Sequence, residues 1–211
     1  EEECPHFLNP SPEIIPMEVS TKVYFEGKNL DNYQDRTFKI GNNQFEFETT
    51  VEETEDGKYF FESPEMHITF VVTLYSCSYG RDDCSLCLAA DPQYQCVWCE
   101  ARDSCVFTKR CSSSTTTCPA PIITQIEPKN GPLSGGILLT IRGSNLGINA
   151  EDVKEIMVAN TECQFRKEFY SVSTKIVCEV GRGSMEKTGE IRVNINEQIG
   201  TSTNEVQFTY Q

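Results

Sequence analysis

Cys77-Ser-Tyr-Gly-Arg-Asp-Asp-Cys84-Ser-Leu-Cys87, followed by Cys96-Val-Trp98-Cys99 and then Cys105, Cys111 and Cys118, puts eight of the chain's eleven cysteines inside 42 residues. A stretch that short buries too little apolar surface to offset its chain entropy, so it needs covalent crosslinks or a metal. An even cysteine count in a compact window reads as a disulfide framework, and such frameworks persist in oxidising compartments. Two other chemistries fit the CxxC pairs Cys84/Cys87 and Cys96/Cys99. Four thiolates make a tetrahedral zinc site, but a zinc ribbon leaves four more cysteines unused, whereas disulfides employ all eight. A redox CxxC needs a helix N-terminus in a βαβ setting, and neither pair has that context. Trp98 is expected to stack on a disulfide as the core of this small module; a ligand-binding ring is the alternative.

Outward from this module the pattern is β on both sides. Lys22–Glu26, Gln44–Glu48 and Met66–Leu74 read as strands before it. Ile137–Arg142, Glu190–Ile195 and Glu205–Tyr210 read as strands after it. Short alternating runs broken by Gly, Asn and Pro imply β-sandwiches, and no dozen residues hold a helical period with caps. An internal repeat sharpens this. Pro16, Gly27, Asn29 and Leu30 recur 116 residues later as Pro132, Gly143, Asn145 and Leu146, and Cys4-Pro5 recurs as Cys118-Pro119. Gly143-Ser144-Asn145-Leu146 reads as a strand ending at Ile141, a left-handed turn at Gly and Asn, and a leucine returning to the core. Pro132 and Gly135-Gly136 shape the loop entering that strand. The repeat makes Cys4 the last cysteine of an earlier module, without a partner in this chain. Cys163 and Cys178, at the two ends of a hairpin, are expected to pair.

The formal net charge is −14. Residues 1–76 hold 16 acidic and 5 basic side chains, 77–118 hold 5 and 4, and 119–211 hold 11 and 9. That field repels phosphate backbones and anionic lipid, which excludes nucleic acid as an expected partner. It favours a basic protein partner or a calcium-rich milieu, or simply maintains solubility. No apolar leader follows Glu1-Glu2-Glu3 and no run is long enough to span a membrane, so a secretion signal is expected outside these residues, in a longer protein. Asn9 is followed by Pro10, which blocks glycan transfer. His6 and His67 stand alone without a nucleophile signature. Glu52-Glu53-Thr54-Glu55-Asp56-Gly57 lacks calcium-loop spacing and reads as a solvated hairpin tip. No phosphate loop, paired catalytic carboxylates or metal set is present. No enzyme, cofactor or metal is expected.

The quoted cysteine stretch resembles a PSI module (plexin–semaphorin–integrin). Pro128-Lys-Asn-Gly131-Pro132-Leu-Ser-Gly135-Gly136, running on to Gly143-Ser-Asn145-Leu146-Gly147, resembles the opening of an IPT domain. Tyr170–Cys178 is also similar to plexins, nearest the B type. The resemblance covers nearly the whole chain and is weakest over 5–76, which lacks the internal cysteine pair and the Gly-Gly loop. It implies two immunoglobulin-like IPT/TIG sandwiches flanking a disulfide-rich PSI module: the end of a preceding PSI at 1–4, IPT-like 5–76, PSI 77–118 and IPT 119–211. It also implies the pairs Cys77–Cys96, Cys84–Cys118, Cys87–Cys105 and Cys99–Cys111, which are one of 105 pairings that eight cysteines permit.

The order IPT–PSI–IPT points to a plexin, with a stalk of the hepatocyte growth factor receptor type as the alternative. The implied role is a rigid extracellular spacer of a single-pass semaphorin receptor. The parent receptor binds semaphorin through a domain not in this chain, and the spacer positions that domain and transmits dimerisation in guidance signalling. Contacts with a neighbouring receptor or co-receptor through the acidic first domain are a further expectation, and membrane contact by this segment is not expected. A zinc-holding DNA-binding module and a secreted protease inhibitor are the readings from other classes; the −14 charge opposes the first, and no catalytic constellation makes the chain itself an enzyme.

Overall fold

The structure, a computed structural model, describes residues 6–17, 19, 21, 24–28, 50–53, 58–63 and 68–211. Cys4, Asn29, Leu30, the alternating run 44–48, the 54–57 part of the acidic turn and His67 lie outside the described residues. The chain divides into two compact units, residues 1–77 with 92–95, and residues 78–91 with 96–211.

The described part of the first unit is β except for a single 3-10 turn at Pro92–Tyr94. β1 (His6–Ser11) pairs antiparallel with β3 (Tyr24–Lys28). β2 (Ile14–Pro16) runs parallel to β6 (Ile68–Tyr75), and β6 continues through β5 (Lys58–Ser63) to β4 (Thr50–Glu53). Glu52 and Glu53 thus pair with Phe60 and Tyr59 inside the β4–β5 hairpin. Ile15 and Val72 are buried. The Tyr75 hydroxyl donates to the Tyr94 carbonyl at 2.6 Å, with the two rings 4.8 Å apart.

The second unit begins with a one-turn helix, α1 (Cys84–Leu88), and a three-stranded sheet of β7 (Cys96–Cys99), β8 (Ser104–Phe107) and β9 (Ser114–Thr115), with β7 central. Its apolar interior is small: Trp98, Val106 and Phe107 besides cysteines. Disulfides Cys84–Cys118, Cys87–Cys105 and Cys99–Cys111 pin the helix and the chain ends to this sheet.

The rest is a nine-stranded curled sheet closing on itself as a sandwich. Its strands are β10 (Ile122–Glu127), β11 (Asn130–Gly131), β12 (Leu138–Ser144), β13 (Val153–Val158), β14 (Thr161–Phe165), β15 (Lys175–Val180), β16 (Lys187–Ile195), β17 (Gln198–Thr201) and β18 (Gln207–Tyr210). The order is β10-β12-β15-β14-β13-β16-β18-β11, with β17 on β16. Period-2 patterning decides which face is inside. Leu139 and Ile141 are buried while Leu138 and Arg142 face out; Ile191, Val193 and Ile195 are buried while Arg192 is exposed. Cys163 and Cys178 form a disulfide inside this core, crosslinking β14 to β15.

The 116-residue repeat is a repeat of strand register. His6↔Lys28 and Phe7↔Gly27 in β1–β3 reappear as Ile122↔Ser144 and Ile123↔Gly143 in β10–β12, each ladder with a shift just after. In both copies the short strand ahead of or containing the repeated proline runs parallel to the last strand, β2 on β6 and β11 on β18. One expectation is corrected. The strand does not end at Ile141: β12 continues to Ser144, and Gly143 sits within it rather than in the turn. A Cβ at Gly143 would lie 1.9 Å from the Ile122 carbonyl oxygen, so this glycine serves the close approach of β10. The left-handed residue is Asn145, at φ 55°.

Candidate functional site: a buried polar joint

Within the second unit the cysteine-rich module meets the sandwich through four buried polar residues. Asp83 is the N-cap of α1, and its Oδ1 accepts the Leu86 N–H at 2.8 Å. This is the expected work of an Asp before a helical turn, satisfying one donor that has no partner within the helix. Its other oxygen serves the sandwich. Oδ2 accepts the Ser173 hydroxyl at 2.6 Å and the Asn145 N–H at 3.3 Å. That N–H is shared with the Ser173 Oγ at 2.9 Å. In return, Asn145 Oδ1 accepts the Ser85 N–H at 3.2 Å. The first turn of α1 is therefore capped once by its own module and once by the neighbouring one.

Asp83, Ser85, Asn145 and Ser173 are 7%, 2%, 7% and 0% exposed. At that burial each hydrogen bond matters more for what its loss leaves behind than for its net gain. An unsatisfied buried group costs about 1–3 kcal/mol, and more when charged. Two left-handed residues, Asn145 at φ 55° and Ser173 at φ 59°, aim the sandwich's groups at the helix. Their loops are cross-tied: Ser173 N–H donates to Gly147 O at 2.9 Å, and Leu146 N–H donates to Ser173 O at 3.1 Å. The Tyr170 hydroxyl donates to Gly147 O at 2.6 Å. Burial, with Asp152, Asp83 and Glu151 nearby, pushes that phenol up to about 12, against a weaker opposing hydrogen bond from Ser173. Burial also acts on Asp152, but the N–H groups of Asn149 and Ile148 and the Asn196 side chain outweigh it and hold the carboxyl below its ordinary value.

The covalent path runs beside the polar one. Cys84–Cys118 ties the start of α1 to the last cysteine before the link into the sandwich. That link, Pro119-Ala120-Pro121, is pressed by β17, where a Cβ on Gly200 would fall 2.0 Å from the Pro121 carbonyl oxygen.

Of the residues singled out from the sequence, Cys84, Cys118, Cys87, Cys105, Cys99, Cys111, Cys163 and Cys178 lie in the four crosslinks above, and Cys77 and Cys96 are disulfide-bonded as well. Trp98 is buried, and His6 opens β1. Among the described residues no cluster of His, Cys, Asp and Glu is arranged to hold a metal, and no helix is long and apolar enough to cross a membrane. Sequence reasoning missed the joint. Asp83 carries a local signal, an Asp before a short helical turn, and Asn145 carries one in its left-handed turn. Nothing local indicates that they face each other.

Residues 121–210 match the IPT/TIG domain family, and residues 76–107 match the PSI domain of plexin-B. The chain is 46% identical over 232 residues to mouse (Mus musculus) plexin-B2, covering all of this chain and 13% of that protein. It is 43% identical over 145 residues to human plexin-B1, covering 66% of this chain and 7% of that one. The chain thus spans a small fraction of the length of these relatives. The solved full extracellular region of plexin A4 superposes with a TM-score of 0.72 at 24% identity, covering all of this chain and 28% of that one, a likeness of fold.

Proposed function

The chain belongs to the plexin family, in its B-type group, as part of the extracellular region, and on that premise we propose that it is a stiff spacer within a semaphorin receptor. The receptor takes its ligand through a domain other than these. This segment holds that domain at a set distance and angle and carries ligand-driven dimerisation toward the membrane, without catalysis of its own. The observation that supports this reading is the Asp83–Ser173–Asn145–Ser85 joint. Interfaces between domains of one chain are commonly polar and mobile. Here the polar groups are buried and mutually satisfied, and a disulfide runs alongside, so bending at this junction breaks several hydrogen bonds at once.

Small-angle X-ray scattering on the chain tests it. The wild type should fit one fixed arrangement of residues 78–211, and the Asp83→Ala/Ser173→Ala variant should need a broader ensemble. A wild type as heterogeneous as the variant sinks the stiffness claim. Tight semaphorin capture by this segment alone, at the affinity of the whole extracellular region, sinks the spacer claim.

A further inference from the structure

Beside the joint, the same unit holds a cleft of about 240 Å³ bordered by Ser85, Asn145, Asp152, Thr116 and Gln198. Gln198, Thr117 and Cys118 also border a second cleft of about 300 Å³, which Trp98, Glu100 and Asp103 complete, so the two share a wall. Two of the lining residues are more than nine-tenths buried and keep unspent hydrogen-bonding capacity. Asn145 uses its Oδ1 on Ser85, and among the described residues its amide Nδ2 meets no acceptor and the Ser85 hydroxyl meets no partner. The orientation of the Asn145 amide follows from the donor it faces, since the Ser85 N–H must meet the oxygen. Native proteins leave few buried polar groups unpaired, and each such group calls for a reason.

The ligand class follows from the chemistry of the lining. Asp152, Glu100 and Asp103 contribute carboxylates, and no Lys, Arg or His of the described residues borders either cleft. Three carboxylates on linings that carry no cation disfavour phosphate, sulfate and carboxylate ligands. A cationic ligand would satisfy the carboxylates but not the amide Nδ2, which is a donor. A neutral polyol satisfies both: its hydroxyls donate to carboxylates and accept from Nδ2 and from hydroxyl donors. The first cleft holds roughly eight waters' worth of space, the size of one sugar ring, and only the edge of the largely buried Trp98 ring borders the second. We infer that the paired clefts bind a neutral sugar residue, with the Asn145 amide donating to a ring substituent and the Asp152 carboxylate accepting from a hydroxyl.

Two-dimensional amide NMR on the isotope-labelled chain tests this, with methyl mannoside, methyl N-acetylglucosaminide, glucuronate and lysine amide as probes. One neutral glycoside should shift the Asn145 side-chain amide and the Ser85 and Thr117 backbone signals saturably, in the millimolar range expected of so small a contact. Glucuronate and lysine amide should not. Gln198→Ala, at an exposed position outside the joint, should weaken binding about fivefold, the worth of one hydrogen bond, with an unchanged melting temperature. Thr116→Val provides a second variant of the same kind. A glycopeptide bearing the same sugar separates a partner's glycan from a free saccharide: tighter binding of the glycopeptide assigns the former, equal binding the latter, and both support the site. No saturable shift with any neutral glycoside, a response confined to the charged probes, or binding indifferent to both variants overturns it and leaves a hydrated crevice only.

Discussion

Asp83 spends one carboxylate on two domains, and that division sets what its loss does. Asp83→Ala removes a helix cap, worth about 1 kcal/mol, and strands the Ser173 hydroxyl in a site that is 0% exposed. We expect a loss of about 2–4 kcal/mol in denaturant unfolding of the second unit; a loss below 1 kcal/mol would mean that the joint is not buried in solution. Gly143→Ala acts by a different route, because the new Cβ meets the Ile122 carbonyl and neither strand can yield without breaking the β10–β12 ladder. A cost of about 2–4 kcal/mol is expected. Gly136→Ala, at φ 81° with open space around it, should cost only the roughly 1–2 kcal/mol of a left-handed alanine. Similar values for the two substitutions would show that backbone conformation, not strand approach, is at stake at Gly143.

Tyr170 makes the same loops sensitive to alkali. Its folded form ionises near 12, while an unfolded tyrosine ionises at 10.0. The folded state therefore holds the proton more tightly, so this contribution is complete below pH 10 and is lost as pH rises through about 12. Melting temperature followed from pH 9 to 12 should fall more steeply in the wild type than in Tyr170→Phe. Parallel curves would place the phenol in solvent.

At the scale of elements, the two halves of the second unit are held by different forces. The sandwich buries a continuous apolar core, and its single disulfide, Cys163–Cys178, adds to a structure that hydrophobic burial already supports. The 15-residue separation corresponds to about 3 kcal/mol in the chain-entropy picture. The cysteine-rich module has few apolar side chains to bury and depends on its crosslinks. Trp98 is the chain's one tryptophan, so its emission reports on that module alone. On titration with a thiol reductant, Trp98 emission should shift to the red before the far-ultraviolet β signal falls. Simultaneous loss of both signals would make the sandwich as dependent on sulfur as its neighbour.

This contrast also explains what is legible in the chain. Strand alternation and the 116-residue repeat reveal the sheets because period-2 burial is local and register is inherited whole: Phe7↔Gly27 and Ile123↔Gly143 are one pairing written twice. Gly143 itself misleads, since a glycine required by an approaching strand looks the same in sequence as one required by a turn. The joint is hidden for a different reason. Asp83 and Ser173 are 90 residues apart, and only the folded topology brings a helix cap against a left-handed serine.

At the scale of the whole molecule, the chain spans a small fraction of its plexin relatives' length, and the proposed spacer reading, which makes it a short part of a long receptor, carries a prediction there. Stiffness matters to a receptor only if binding at one end must be felt at the other. Breaking the joint while keeping Cys84–Cys118 leaves the modules attached and the ligand-binding domain untouched, but it lets the junction bend. In a full-length receptor carrying Asp83→Ala and Ser173→Ala, semaphorin affinity at the cell surface should therefore match wild type, while the signalling response at saturating ligand should fall. Both variants act through one network, so their effects should be far from additive: either single change should produce most of the loss. Additive effects would mean that the two residues work separately. An undiminished response with the junction shown to bend would remove mechanical transmission from this segment and leave it a tether.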